Sequence, residues 1–211
     1  MKIAIDGPAG AGKSTVARAL AQRLGFVHLD SGALYRALAW VALREGVDLG
    51  SGADLAHLLA TCRLAPLPDG VSVEGVALGE ALKTPQVDAA VSQVAWHPAV
   101  RSEMVRIQRQ WGEGRDLVAD GRDIGTVVWP EAEVKIFLTA TLAARAERRA
   151  AEQPGLDLAQ VEEEIARRDE KDTARSVGPL RVADGARLVD TTALTVEEVV
   201  DRLVELVRPK P

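Results

Sequence analysis

The chain has 211 residues, 47% hydrophobic and 27% charged, enough for one globular domain whose core needs no covalent cross-links. A net charge of −5 excludes the broad basic field that nonspecific nucleic-acid or membrane-surface binding requires. Cys62 stands alone, which excludes an internal disulfide, and no apolar run reaches spanning length or has the form of a signal peptide; a reducing cytoplasm is the expected setting and a monomer the expected state.

The first element is the apolar run Lys2–Asp6, read as a strand. It leads into Gly7-Pro8-Ala9-Gly10-Ala11-Gly12-Lys13-Ser14, a full match to G-x-x-x-x-G-K-[ST]. Glycines let such a loop wrap closely around a polyphosphate while successive N–H groups point inward, and the helix it opens adds the positive end of its dipole. In such a cradle Lys13 reaches the β/γ-phosphates and Ser14 takes Mg²⁺. Val16-Ala17, Leu20-Ala21 and Leu24 recur at helical spacing, with Gly25 as the stop.

A second strand, Phe26–Asp30, runs into Ser31-Gly32-Ala33-Leu34-Tyr35-Arg36, where Ser31 is expected to cap a helix and Arg36 to lie on its first turns, facing the site. From Arg63 to Gly79 short alternating runs around Asp69-Gly70 read as a small β-hairpin, an insertion that is either a substrate cover, which the sequence favours, or a decorative excursion. Further strands are Asp116–Asp120, Val134–Leu138 and Arg187–Asp190. The third of the five strands ends in Asp120-Gly121-Arg122-Asp123, a glycine-flanked Arg-Asp pair. Thr141–Asp172 is rich in Arg and Glu, is broken at Pro154-Gly155, and is a second candidate lid; it runs into Arg168-Asp169-Glu170-Lys171-Asp172-Thr173-Ala174-Arg175. The tail Arg208–Pro211 is expected to fray.

Strands alternating with helices imply an α/β domain with a parallel sheet covered on both faces, and ligands then bind at the carboxyl ends of the strands. Asp6, Asp30, Asp120 and Asp190 occupy such ends, and Asp120 is a candidate water-mediated Mg²⁺ contact. His28, His57 and His97 sit in no motif and have no evident partner, so they are read as structural.

The motifs I-D-G-P-A-G-A-G-K-S (5–14), L-D-S-G-A-L-Y-R (29–36), S-Q-V-A (92–95), Pro98 to Arg101, D-G-R-D-I-G-T-V-V (120–128), V-K-I-F-L (134–138) and R-R-D-E-K-D (167–172) span nearly the whole chain, and together they resemble the bacterial cytidylate kinases. The resemblance implies one P-loop kinase domain over 1–211 with a five-stranded parallel sheet flanked by helices, a monophosphate-binding insert near 62–92 and a lid near 145–175. It implies phosphoryl transfer from ATP, with Mg²⁺, to CMP or dCMP. Gly7, Pro8, Ala9, Gly10, Ala11, Gly12, Lys13, Ser14 and Thr15 would hold ATP. Ser31, Arg36, Arg122 and Arg175 would collect the CMP phosphate, with Tyr35 also on the substrate side; Ser92, Arg101 and Asp123 would face cytosine, and Arg168 and Asp172 the sugar. Arg145, Arg148 and Arg149 would supply charge to the transferring phosphoryl, and Lys13, Arg122, Arg145, Arg149 and Arg175 form the catalytic set. The sequence departs from some relatives at 12–15, where Gly-Lys-Ser-Thr replaces Gly-Lys-Gly-Thr, which strengthens Ser14 as a Mg²⁺ contact.

A phosphate acceptor is already an anion at neutral pH and needs no strong base; catalysis is positioning and cationic neutralisation, which suits arginine. The alternative is a P-loop small-metabolite kinase acting on a hydroxyl, with Asp30 or Asp120 as base. A noncatalytic ATP-binding protein would not need arginines around a second phosphate. A GTP switch needs an N-K-x-D element, and the chain contains no asparagine.

Overall fold

The computed structural model describes residues 1–68, 70–152 and 157–207. The expected turn at Asp69, the break at Pro154-Gly155 and the tail 208–211 lie outside them. The central sheet holds β1 (Lys2–Asp6), β2 (Val27–Asp30), β6 (Leu117–Gly121), β7 (Val134–Thr139) and β8 (Arg187–Asp190). All neighbours are parallel, in the order β2-β6-β1-β7-β8. The strand boundaries lie within a residue of the sequence expectation. β2 starts at Val27 because the amide of Phe26 instead closes the end of α1 (Lys13–Leu24) on the Ala21 carbonyl at 2.9 Å.

Strand alternation decides which residues meet which layer. Ile3, Ile5, Val118, Ile136 and Leu138 pack one face against Val16 and Leu20 of α1 and against Val199 and Leu203 of α8 (Val196–Val207). Ala4, Leu29 and Ala119 turn to the other face, against Ile124 and Trp129. A second core surrounds α2 (Ser31–Glu45), which is buried on nearly every side by α3 (Gly52–Thr61), α4 (Pro85–Val94) and α5 (Pro98–Gly112). Leu34 and Leu38 are wholly excluded from solvent there, each contributing about 1.5–3 kcal/mol by burial.

The stretch read as a hairpin is a three-stranded antiparallel sheet: β3 (Leu64–Leu67), β4 (Gly70–Val73) and a two-residue β5 (Val76–Ala77) that periodicity is too short to register. Two amphipathic helices, α6 (Leu142–Glu152) and α7 (Leu158–Thr173), follow β7 and pack together; Ala146, Val161 and Ile165 bury in one cluster with Ala9 of the glycine-rich loop. Among the described residues no helix is long and apolar enough to cross a membrane.

Candidate active site

The glycine-rich loop joins β1 to α1 at the carboxyl end of the sheet, where its position is fixed by backbone packing. A Cβ on Gly7, at φ 153°, would overlap the Leu138 carbonyl oxygen of β7, so this residue must lack a side chain. Gly12 starts α1 with no capping side chain, which leaves the helix's first N–H groups directed at the loop mouth. Lys13 is buried and its Nζ donates to the Pro8 carbonyl at 2.7 Å. Burial, and then the charge of Arg122, hold its ammonium well below the ordinary lysine pKa. Ser14 is half-buried and Thr15 exposed.

Two residues of α6 and α7 grip this loop. Asp169 Oδ1 accepts from the Ala9 amide at 2.9 Å, while Arg145 donates to the Ala9 carbonyl at 2.9 Å, to Ala140 at 3.1 Å and to Asp169 Oδ2. Arg145 is thus engaged in the frame of the loop. Arg148 is bound to Thr191, and Arg149 reaches across to Asp88 on α4.

Ser14 Oγ donates to Asp120 Oδ2 at 2.6 Å, bringing together two hard oxygen donors from α1 and β6. Asp120 is buried, which favours its neutral form, but the hydrogen bond from His28, the Ser14 hydroxyl and the charge of Lys13 outweigh that and hold it below the usual carboxylate range. Neighbouring Asp30 is pushed the other way, by burial first and then by the Asp120 charge. Among the described residues no cluster of three or more His, Cys, Asp or Glu could cage a metal. A lone hydroxyl–carboxylate pair fits Mg²⁺, which is commonly held by one or two protein oxygens plus substrate phosphates.

Beyond the loop lies a patch of cations. Arg122 Nε donates to Asp172 Oδ2 at 2.8 Å, Arg175 pairs with Asp172 Oδ1, and Arg36 pairs with Asp30 at 3.1 Å. Asp30, not Ser31, caps α2: its Oδ1 accepts from the Ala33 amide at 2.8 Å. Ser31 is the first helical residue and is buried, because the carboxylate one position earlier already has the extended backbone that a cap requires. Arg168 is pushed down to about 10, by burial and then by the nearby charge of Arg122, yet stays protonated at neutral pH. Asp172 is held low: burial raises it, but Arg122, Arg175 and Arg168 prevail. Lys13, Arg36, Arg122, Arg168 and Arg175 therefore converge on three carboxylates, Asp30, Asp120 and Asp172, a local positive excess in a chain of net charge −5.

A third group lies behind the cations. Arg101 and Asp123 are both buried and paired, Arg101 also donates to the Ala95 carbonyl at 3.3 Å, and its guanidinium lies 5.6 Å from the Tyr35 ring centroid. Burial pushes the Tyr35 hydroxyl up to about 12. Gly178, at φ 61°, packs so tightly on this pair that a Cβ would overlap Asp123 Oδ2 and the Arg101 guanidinium. Asp123 opens a π-helical turn, Ile124–Val128, whose first amides are held by Asp6: Ile124 N on Oδ1 and Gly125 N on Oδ2, each at 2.8 Å. Ser92 is half-buried on α4.

These contacts bring the β1–α1 loop, the ends of β2 and β6, the start of α2 and the end of α7 to one cleft. A family model described as cytidylate kinase matches residues 3–209. The chain belongs to the cytidylate kinase family. It is 49% identical over 218 residues to the cytidylate kinase of Anoxybacillus flavithermus, an alignment covering 100% of this chain and 97% of the relative. It is 47% identical over the same shares to the cytidylate kinase of Bacillus subtilis. Shikimate kinase from Acinetobacter baumannii aligns with a TM-score of 0.50 over 98% of this chain and 92% of that one. At 15% identity that likeness concerns the P-loop kinase fold alone.

Three residues at this cytidylate kinase site escape sequence reasoning: His28, Asp88 and Asp169. Asp169 lay inside a recognised motif, but its contact with Ala9 spans 160 residues. His28 corrects the expectation that the histidines lack partners: its Nε2 lies 2.8 Å from Asp120 Oδ1. Two-residue alternation along β2 does put His28 on the same face as Asp30, but only the β2–β6 register reveals Asp120 beside it.

Proposed function

We propose that the chain transfers the γ-phosphoryl of ATP to the phosphate of CMP or dCMP, giving ADP and CDP or dCDP. The observation that carries this reading is the convergence of five cations on three carboxylates beside a phosphate loop, a field that two phosphate groups brought in line would neutralise. The family membership supports it along the full chain.

In this reading residues 7–15 hold the donor, with Lys13 released from Pro8 to reach its phosphates. Ser14 and Asp120 hold Mg²⁺, which when bound neutralises charge developing on the donor phosphates. Arg36, Arg122 and Arg175, with Ser31, clamp the acceptor phosphate; their planar forks stay charged and bind its oxygens bidentately. Asp123 accepts from the 4-amino group of cytosine while Arg101 donates to its N3 and O2 side, with Ser92 alongside and Tyr35 under the guanidinium. Arg168 and Asp172 face the sugar. The insert near 62–92 and the lid near 145–175 close over the pair and exclude water, which would otherwise accept the phosphoryl. Arg145, Arg148 and Arg149 of the lid supply charge to the transferring group, Arg149 starting from its ion pair with Asp88.

A hydroxyl acceptor is disfavoured because its two candidate bases are engaged: Asp30 caps α2 and pairs Arg36, while Asp120 is shared by Ser14 and His28 and held low. A coupled ADP-release assay across CMP, dCMP, UMP, AMP, GMP and shikimate tests the reading. CMP and dCMP should give the highest kcat/KM; turnover of shikimate with both cytidine nucleotides silent would overturn it.

A further inference from the structure

We infer that His28 is a positioning residue for the metal-facing carboxylate: by holding Asp120 Oδ1, it aims Oδ2 at Ser14 Oγ. The inference rests on the reading that Ser14 and Asp120 face Mg²⁺.

The chain of contacts is short and dry. His28 Nε2 lies 2.8 Å from Asp120 Oδ1, and Ser14 Oγ lies 2.6 Å from Asp120 Oδ2, so each carboxylate oxygen has one side-chain donor. The side chains of His28 and Asp120 are only 2% and 3% exposed, so their contact is made inside the protein. An ionised carboxylate offers only acceptors, which places the ring proton on Nε2 and fixes the tautomer. The other ring nitrogen, Nδ1, is buried with no hydrogen-bond partner among the described residues.

That orphan separates positioning from mere packing. A buried acceptor without a partner costs about 1–3 kcal/mol, so an apolar side chain would fill this space between β2 and β6 more favourably. What histidine adds is the single bond to Asp120. Without it Oδ1 would be buried and unpaired, and nothing on that side would fix the rotation of the carboxylate that now sets Oδ2 on Ser14 Oγ. Partners of this kind behind a metal-facing group typically change metal affinity or activity 10–100-fold.

The test uses Mn²⁺ as a spectroscopic stand-in for Mg²⁺. Its binding to the complex of enzyme with ADP is measured by electron paramagnetic resonance for the wild type, His28→Phe, His28→Gln and Asp120→Asn. CMP affinity is measured by calorimetry on the same samples. His28→Phe keeps the ring's bulk but has no donor; His28→Gln carries an N–H donor the same number of bonds from the backbone. The expected result is Mn²⁺ affinity at least tenfold weaker in His28→Phe, mostly restored in His28→Gln, with CMP affinity unchanged in both. Weakening in Asp120→Asn but none in His28→Phe overturns the inference and leaves the metal reading standing. Unchanged Mn²⁺ affinity in both overturns the metal reading and the inference with it. If His28→Phe does not fold, His28→Leu takes its place as the variant without a donor, with the same two outcomes, and loss of Mn²⁺ and CMP affinity together in His28→Gln assigns His28 to packing and overturns the inference.

Discussion

Asp172→Asn removes one negative charge from a site where two guanidiniums depend on it, at almost no change in shape. The Asp172 side chain is 2% exposed, and those of Arg122 and Arg175 are 16% and 7% exposed. At an effective dielectric constant near 20, two unit charges about 4 Å apart attract by about 4 kcal/mol, and removing one partner of a buried pair costs about 3–5 kcal/mol net because the survivor is stranded. Asparagine keeps one acceptor oxygen but turns an NH₂ toward the other arginine. We expect a loss of about 3–5 kcal/mol at pH 7, which for a chain of this size is roughly 6–20 °C in Tm. The loss must depend on pH with a definite sign. The folded carboxyl titrates below its unfolded value of 3.8, so its contribution is present above that value and disappears as pH falls through the folded pKa. Urea unfolding of both proteins at pH 7 and near pH 3 measures this: the gap should be full at pH 7 and smaller at pH 3, the remainder going only as pH falls on through the folded pKa. A difference under about 1 kcal/mol at pH 7 would mean that water, not Asp172, compensates these arginines, and the picture of a preorganised cationic pocket would be wrong.

Asp123→Asn should lower kcat/KM for CMP by one to two decades, from roughly 1–3 kcal/mol of base-edge discrimination, and narrow the CMP-to-UMP ratio because the amide can meet the uracil oxygen; KM for ATP should hold, and an unaltered ratio would place the base reader elsewhere. Asp6 is raised to about 6, by burial working against the amides of Ile124 and Gly125, so a ¹³C carboxyl titration should show a midpoint well above 3.8. The folded state then binds that proton more tightly than the unfolded one. The Asp6 contribution should accordingly fall by roughly 3 kcal/mol as pH rises from about 4 through 6, and a midpoint near 4 would refute this.

What the sequence made legible was what it carries contiguously. The loop 7–14 holds its geometry and its chemistry in consecutive residues, and β1, β2, β6, β7 and β8 announce themselves as short apolar runs, all but β7 ending in a carboxylate or glycine. The π-helical turn after Asp123 was hidden because its decisive partner, Asp6, comes from β1, more than a hundred residues away. Ser31 looked like the cap by type, while Asp30, equally able to cap, was taken up as a strand-end carboxylate; only the backbone conformation decides between them. Asp169 on Ala9, Asp88 on Arg149 and His28 on Asp120 depend on how lid, insert and sheet pack, which no local pattern encodes.

The central claim is that the acceptor atom is a phosphate oxygen of a cytidine nucleotide. A single ³¹P NMR time course with ATP, Mg²⁺, CMP and shikimate in one tube addresses it, since a phosphoanhydride, a phosphate ester and inorganic phosphate resonate apart. The account predicts that the CMP resonance is replaced by the paired α and β signals of CDP as ADP appears, with little ester or free phosphate. Shikimate phosphate, or inorganic phosphate alone, growing at the expense of ATP while CMP persists would contradict it.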